Sequence, residues 1–223
     1  GCRFILIHLG DERYEDGSDS YMFAERVFRN HWHKKFAQRD GIHPFALGYK
    51  SGFLVKSKGS LAPIEERPFI WSFAGQTSKS TRRVMVESMQ EIEPHALYET
   101  SSFNAPEAMP IGEYQRQMER SIFIPCPRGF WNIDTFRLYE ALEAGAIPIV
   151  ERGENNYYER FFPNNPFLKV GKWEEAPPMI EAMLLDMKTL EEFRLQQLRW
   201  WQNYKEKLRG TFYKAIGDLI KVQ

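Results

Sequence analysis

Apolar residues come along this chain in short runs separated by longer mixed segments, and the alternation is most regular in its middle. "PFIWSFAG" stops at Gly75, and "HALYETS", "SIFIPCP" and "AIPIVE" follow in turn. Apolar runs this short, bounded by Gly, Pro or Ser, predict strands. The segments between them, "SKSTRRVMVESMQEI", "GEYQRQMER" and "TFRLYEALEAG", read as helices, the last ending at Gly145. Strands alternating with helices predict a parallel sheet covered on both faces.

The two ends are less regular. "RFILIHLG", Arg3 to Gly10, predicts a buried parallel strand, and the acidic "DERYEDGSDS" a loop at its carboxyl end. "SYMFAERVFRNHWHKKF" sets Met22, Phe23, Arg26, Val27 and Asn30 on one face, which predicts a helix capped by Ser20, and "HPFALGY" predicts a second strand. "KSGFLVKSKGSLAPIEE", Lys50 to Glu66, is rich in Ser, Gly, Lys and Pro and reads as a connection. It divides the chain into a short N-terminal α/β region, residues 1–60, and a C-terminal domain, residues 61–223. The last third, "PPMIEAMLLDMKTLEEFRLQQLRWWQNYKEKL", is amphipathic and almost free of breakers, so it predicts one or two helices packed on the sheet.

Composition narrows the chemistry. With 43% hydrophobic residues in 223, the chain can build a substantial core. Lys plus Arg equals Asp plus Glu at 30 each, so no overall field favours nucleic acid or an anionic membrane, and any anion site is local. Only Cys2 and Cys126 are present, without the spacing of a zinc site or a disulfide framework. The longest apolar runs fall far short of the roughly 20 residues of a membrane helix. The strand-like run begins almost at Gly1, which suggests a trimmed boundary.

In doubly wound sheets, ligands bind beyond the carboxyl ends of the strands, where helix N-termini present backbone N–H groups. Two loops here fit that place. "AGQTSKSTRR" brings Gly75 for close approach, with Lys79, Arg82 and Arg83 to neutralise phosphate. "CPRGFWNIDTF" brings Arg128 and Gly129, Asp134 as the expected N-cap of the next helix, and Arg137 one turn in. Together, on neighbouring strands, they favour a diphosphate site. Glu140 sits among Leu138, Tyr139, Ala141 and Leu142, so its carboxylate is expected to be buried against hydroxyl or amide partners. A ribose supplies two hydroxyls. Among the aromatics, Trp131, Trp71, Tyr157 and Tyr158 are candidates to stack on a base or sugar ring, whereas Trp200 and Trp201 are expected to include a core anchor. His31 and His33, two apart on the expected helix, face different ways and disfavour a metal.

"CPRGFWNIDTFRLYEALEAGAIPIV" resembles the donor-binding signature of exostosin-type glycosyltransferases, and "WSFAGQTSKSTR" is similar to the loop that opens the same domain. A further likeness, to ribitol xylosyltransferases, runs through "FRNHW" and "FALGYKSGF". The resemblance implies a GT-B-like architecture, with a Rossmann-like parallel sheet binding the donor and a short or partial N-terminal region on the acceptor side. It implies ribose binding by Glu140 and diphosphate binding by Arg128 and Arg137, whereas Glu143, one turn later in the same helix, is expected to matter much less. Gly129, Trp131, Asp134 and Thr135 complete that donor loop. The partners implied are a nucleotide-sugar donor and a glycan acceptor, with xylose among the candidate sugars.

Sugar transfer from a nucleoside diphosphate requires a stabilised leaving group and a base for the acceptor hydroxyl. No Asp-x-Asp occurs in the sequence, so Lys79, Arg82, Arg128 and Arg137 are expected to hold the diphosphate without a metal cofactor. For the base, Asp11 comes first, with Glu12 and His8 as alternatives in the loop after the first strand. The expected reaction is inverting. A non-catalytic nucleotide- or carbohydrate-binding module is the alternative, and an NAD-linked enzyme ranks last because Gly-x-Gly-x-x-Gly is missing after the first strand.

Overall fold

A computed structural model describes residues 3–36, 40–55, 61–102, 105–153 and 157–220. Strands β1 (Ile5–His8), β2 (Arg26–Arg29) and β3 (Ile42–Pro44) form a parallel sheet in the order β1-β2-β3. Strands β4 (Phe69–Gly75), β5 (His95–Glu99), β6 (Ser121–Cys126), β7 (Ile147–Glu151) and β8 (Leu168–Val170) form a second parallel sheet in the order β5-β4-β6-β7-β8. The helices are α1 (Arg82–Met89), α2 (Ile111–Glu119), α3 (Phe136–Glu143), α4 (Tyr157–Phe161), α5 (Ala176–Leu184) and α6 (Met187–Ile220).

The chain leaves β4 for β5 on one side, then crosses back over β4 to place β6 on the other. With right-handed crossovers, this reversal puts α1 on one face of the sheet and α2 and α3 on the opposite face. Two apolar cores result. One gathers Met85 and Met89 of α1, Phe123, Ile149 and Ile180 of α5; the other gathers Met118, Ile124, Leu138, Val150 and Trp201 of α6. The reversal also opens a crevice between the carboxyl ends of β4 and β6, where the two basic loops emerge.

The middle strands and helices lie where the hydrophobic pattern put them, but the N-terminal region differs. The expected helix over residues 20–36 is absent. In its place stand a 3-10 turn at Asp19–Phe23, the central strand β2, and a 3-10 turn at Lys34–Phe36. Val27, Phe28 and Arg29 are consecutive and all buried, because β1 and β3 flank β2; a helix would have exposed one of them. The second expected strand shrinks to β3. Two short elements, α4 and β8, had no signal of their own. Part of the expected interdomain connection, residues 56–60, and with it the boundary at residue 60, lies outside the described residues. Its start is docked: Leu54 exchanges backbone hydrogen bonds with the Gln115 amide of α2, at 2.9 and 2.8 Å.

Helix α6 joins the two sheets. Trp201 is 3% exposed in one core of the larger sheet, and Phe212 meets Phe28 of β2 edge-on at 5.2 Å. At the other end of α3, Gly145 turns the chain into β7 with φ +65°, and a Cβ there would sit 2.9 Å from Leu61 Cδ1 and 3.1 Å from Arg194 Nη1. Gly145→Ala should therefore cost about 1–3 kcal/mol from the left-handed backbone and the crowding, read as a lower urea midpoint at unchanged m-value; an unchanged midpoint contradicts this packing.

Candidate functional site

The loop after β6 and the end of β7 face the loops of the small sheet across a cavity of ≈ 320 Å³, lined on one side by Tyr14, Trp32 and His33 and on the other chiefly by Arg128, Trp131, Asn132 and Glu151. Its volume lies at the small end of ligand sites. Arg152 and Arg160 also line it, and neither they nor Arg128 form a side-chain hydrogen bond or ion pair with a described residue. The side chain of Asn132 holds the cleft together. Its Nδ2 donates to the Tyr14 hydroxyl at 2.5 Å, its Oδ1 accepts the Asp134 N–H at 3.1 Å, and its backbone oxygen accepts the Gly129 N–H at 2.8 Å. Arg13 of the small sheet's loop lies over Trp131, 4.3 Å from the ring centroid, and Lys79 lies over Phe130 at 5.5 Å. Trp131 is half exposed and Tyr157, though largely buried, lines the cavity, whereas Trp71 and Tyr158 belong to the core and offer no stacking face.

Arg82 and Arg137 flank the crevice. Arg82 donates to the Gln76 carbonyl at 3.1 Å and Arg137 to the Ala74 carbonyl at 2.7 Å; neither forms an ion pair with a described residue, and the Nε of each is buried without a partner. Burial, then the charge of Arg137, pushes Arg82 down to about 10. Gly75 matters here because a Cβ, built at φ +147°, would lie 3.0 Å from Arg137 Nη2. Gly129 is equally constrained, its absent Cβ falling 3.0 Å from the Asn132 carbonyl.

Asp134 is not the cap of α3. Thr135 holds that position, and the Asp134 carboxylate turns inward to accept the Tyr139 hydroxyl at 2.8 Å and the Tyr157 hydroxyl at 3.2 Å. Two buried phenols draw it from the helix end, and burial pushes its carboxyl up to about 7 against their hydrogen bonds. Thr135 Oγ1 is buried without a partner, and the Thr81 hydroxyl at the start of α1 is given to Glu151. Neither helix N-terminus therefore carries a side-chain cap. The N–H groups of Arg82 and Leu138 go to the Lys79 and Thr135 carbonyls at 3.3 and 3.2 Å, which leaves the other first-turn N–H groups for an anion.

Glu140 is 3% exposed, and its oxygens accept the Lys50 N–H at 3.0 Å and the Tyr114 hydroxyl at 2.7 Å. A ribose there competes with these two donors. Glu143 accepts from Trp201 Nε1 at 2.9 Å and Lys205 at 2.7 Å, fastening α3 to α6.

Asp11 is committed elsewhere. Its carboxylate is paired with buried Arg29 at 3.0 Å and accepts the backbone N–H groups of Glu15 and Asp16 at 3.0 and 3.3 Å. Burial pushes its carboxyl up, but the Arg29 guanidinium and the two amides outweigh burial and hold it below its ordinary 3.8. A carboxylate so engaged is a poor proton acceptor, which weighs against the base role expected of it. Arg29 also donates to the Tyr21 hydroxyl at 2.8 Å, and His8 bridges Tyr21 and Asp16 at 2.5 and 3.0 Å. One ligand atom each of His8, Asp11 and Asp16 lies within 4.8 Å of the others, but the Arg29 charge and these hydrogen bonds already occupy the group. Glu12 is exposed, with a carboxylate that pairs with no described residue. His31 is buried, and burial pushes it down to about 4, so it stays neutral.

Residues 50–220 match the RXYLT1 C-terminal domain family. The chain belongs to that family. Ribitol-5-phosphate xylosyltransferase 1 of Danio rerio is 22% identical over 191 residues, covering 78% of this chain and 44% of that protein. The Homo sapiens protein of the same name is 26% identical over 173 residues, covering 68% and 38%. This chain thus spans less than half the length of these relatives. Among solved structures, an alpha1,3-fucosyltransferase superposes with a TM-score of 0.51 at 13% identity, over 83% of this chain and 63% of that one. That likeness supports a GT-B-like, Rossmann-like fold. The RXYLT1 C-terminal domain match spans both basic loops, α3 and the whole of α6, and begins where Lys50 docks on Glu140.

Sequence reading found the basic loops but missed Tyr14, Asn132, Glu151, Arg152 and Arg160. Glu151 and Arg152 carried a usable signal, since charges directly after an apolar strand stand at its carboxyl end. Asn132 and Tyr14 carried none, because their pairing crosses between the two sheets. The Asp11–Arg29 pair generates a pH-dependent expectation. Asp11→Asn should destabilise the fold at pH 7 by about 3 kcal/mol, the scale of stripping one partner from a buried pair. With the folded carboxyl held below 3.8, the native contribution is complete above about pH 4 and is lost as pH falls through the folded value. The gap in urea midpoints between the two proteins should narrow on acidification; a constant gap contradicts the pairing.

Proposed function

We propose that this chain forms the donor-binding part of a glycosyltransferase that moves a sugar from a UDP-sugar to a hydroxyl of a carbohydrate acceptor, inverting and without metal. The observation that carries the reading is the set of guanidinium groups without anionic partners, Arg82, Arg137 and Arg128, gathered where two uncapped helix N-termini meet the crevice. Like charges brought together at the cost of burial fit a strongly anionic ligand, and a diphosphate spans several donors at once. Family membership supports sugar transfer, and the relatives' names make UDP-xylose the first donor to test and a phosphate-bearing polyol the first acceptor.

In this reading the bond between the sugar's anomeric carbon and the diphosphate oxygen breaks as the acceptor oxygen attacks from the opposite face. Negative charge grows on the leaving oxygen, where Arg128, Arg137 and the N–H groups of α1 and α3 lower its energy. The acceptor's proton goes to a base on the small-sheet side. Of the two acids expected there, Glu12 is the one with a free carboxylate. The Tyr14–Asn132 hydrogen bond holds that side against the donor loop.

UDP titrated by calorimetry in excess chelator should bind the native protein, and Arg128→Ala should weaken it about tenfold or more, since a charged hydrogen bond contributes about 1.5–3 kcal/mol. UDP should be released from UDP-xylose, or another member of a UDP-sugar panel, in the same chelator when acceptor is supplied. Binding restored only by Mg²⁺ or Mn²⁺ removes metal independence, and binding without release under any acceptor reduces the chain to a binding module.

A further inference from the structure

Glu151 ends β7 at its carboxyl end and lines the cavity. Its two oxygens are used differently. Oε1 accepts the Arg128 N–H at 3.0 Å, the Trp173 indole N–H at 3.1 Å and the Thr81 hydroxyl. These donors come from the loop after β6, the 3-10 turn after β8 and the start of α1, so one atom fixes both basic loops relative to β7. Oε2 takes no hydrogen bond from a described residue, and it is not among the buried atoms left without a partner. It is thus the oxygen that keeps some exposure, on a residue that lines the cavity. Three donors exhaust what Oε1 can accept, whereas Oε2 keeps its lone pairs for a ligand.

The cavity that Glu151 lines also holds cationic side chains. Arg128, Arg152 and Arg160 line the same space, yet none forms an ion pair with Glu151. A wall that holds free guanidiniums and one free carboxylate oxygen fits a ligand that is anionic at one end and carries hydroxyl groups at the other. The anion goes to the guanidiniums; a phosphate at Oε2 would be repelled, while a hydroxyl donates to it. We propose that Glu151 Oε2 accepts a hydroxyl of the sugar carried on the nucleotide donor, making Glu151 a specificity-determining residue. This rests on the glycosyltransferase reading above.

Glu151→Gln separates the two oxygens. The amide carbonyl can take the place of Oε1 under its three donors, which turns the NH₂ group to the cavity and replaces an acceptor by a donor. Calorimetry would compare native and variant proteins with UDP, UDP-xylose, UDP-glucose and UDP-N-acetylglucosamine. UDP should bind the two proteins within about twofold, while the best-bound UDP-sugar should lose about fivefold or more in the variant. Thr81→Val removes one donor to Oε1 and leaves Oε2, so it should change both affinities by the same factor. Glu151→Gln with native affinity for the UDP-sugar overturns the inference, and so does an equal loss for UDP and UDP-sugar, which would make Glu151 a loop brace alone. If the melting temperature shows that Glu151→Gln does not hold its fold, the native protein decides: at least one monodeoxy analogue of its best-bound sugar must bind several-fold more weakly, and equal binding by all of them overturns the inference. Native protein that binds no UDP at all removes the functional reading itself.

Discussion

Strands β6 and β7 are covered on both faces, every residue of β6 and all but Glu151 of β7 being buried. A parallel strand in that position can carry almost no polar side chain along its length, because each would need a partner inside an apolar core. Polar chemistry is pushed to the strand ends. At the carboxyl ends, the reversal of strand order between β5 and β6 parts the connecting helices, and the loops after β4 and β6 open into the crevice. The charges therefore stand at the strand ends, Arg128 and Glu151 in the cavity wall and Arg82 and Arg137 in the first turns of α1 and α3.

The small sheet obeys the same rule with a different solution. It buries one charged pair, Asp11 with Arg29, inside a cluster of Tyr21, Val27 and Phe36. Two backbone amides and the Tyr21 hydroxyl satisfy what the pair leaves over, and the Arg29 guanidinium lies over Phe36 at 3.9 Å from the ring centroid. Holding the loop after β1 in this way sets Arg13 and Tyr14 at the cleft, where they meet Trp131 and Asn132. The Asp11–Arg29 pair thus fixes the loop that reaches the site.

What the sequence disclosed follows from range. Strands β4, β6 and β7 and helices α1 to α3 were legible because each has a hydrophobic pattern of its own, bounded by Gly or Pro. β2 was not: Met22, Phe23, Arg26, Val27 and Asn30 imitate a helix face, and the carboxylate that makes buried Arg29 tolerable comes from Asp11 in the loop after β1. In the site, glycines and arginines at strand ends marked the loops. Asp134 misled because an acid before a helix fits an N-cap, and nothing local announces the Tyr139 and Tyr157 hydroxyls that turn it inward. Glu140 was expected to find a hydroxyl, and Tyr114, 26 residues away, brings one. Glu151 needed the three-dimensional meeting of two loops and a turn, which no single stretch of sequence encodes.

In the proposed function, the guanidiniums without anionic partners and the uncapped helix ends of the crevice hold the phosphates of a nucleotide. Dissociation constants for UDP, UMP and uridine, measured by calorimetry on the same preparation in excess chelator, test it most directly. The account predicts a stepwise loss of about tenfold or more with each phosphate removed, on the scale of one charged hydrogen bond apiece, and a steeper salt dependence for UDP than for uridine. Uridine binding as tightly as UDP, with the same salt dependence, would contradict it.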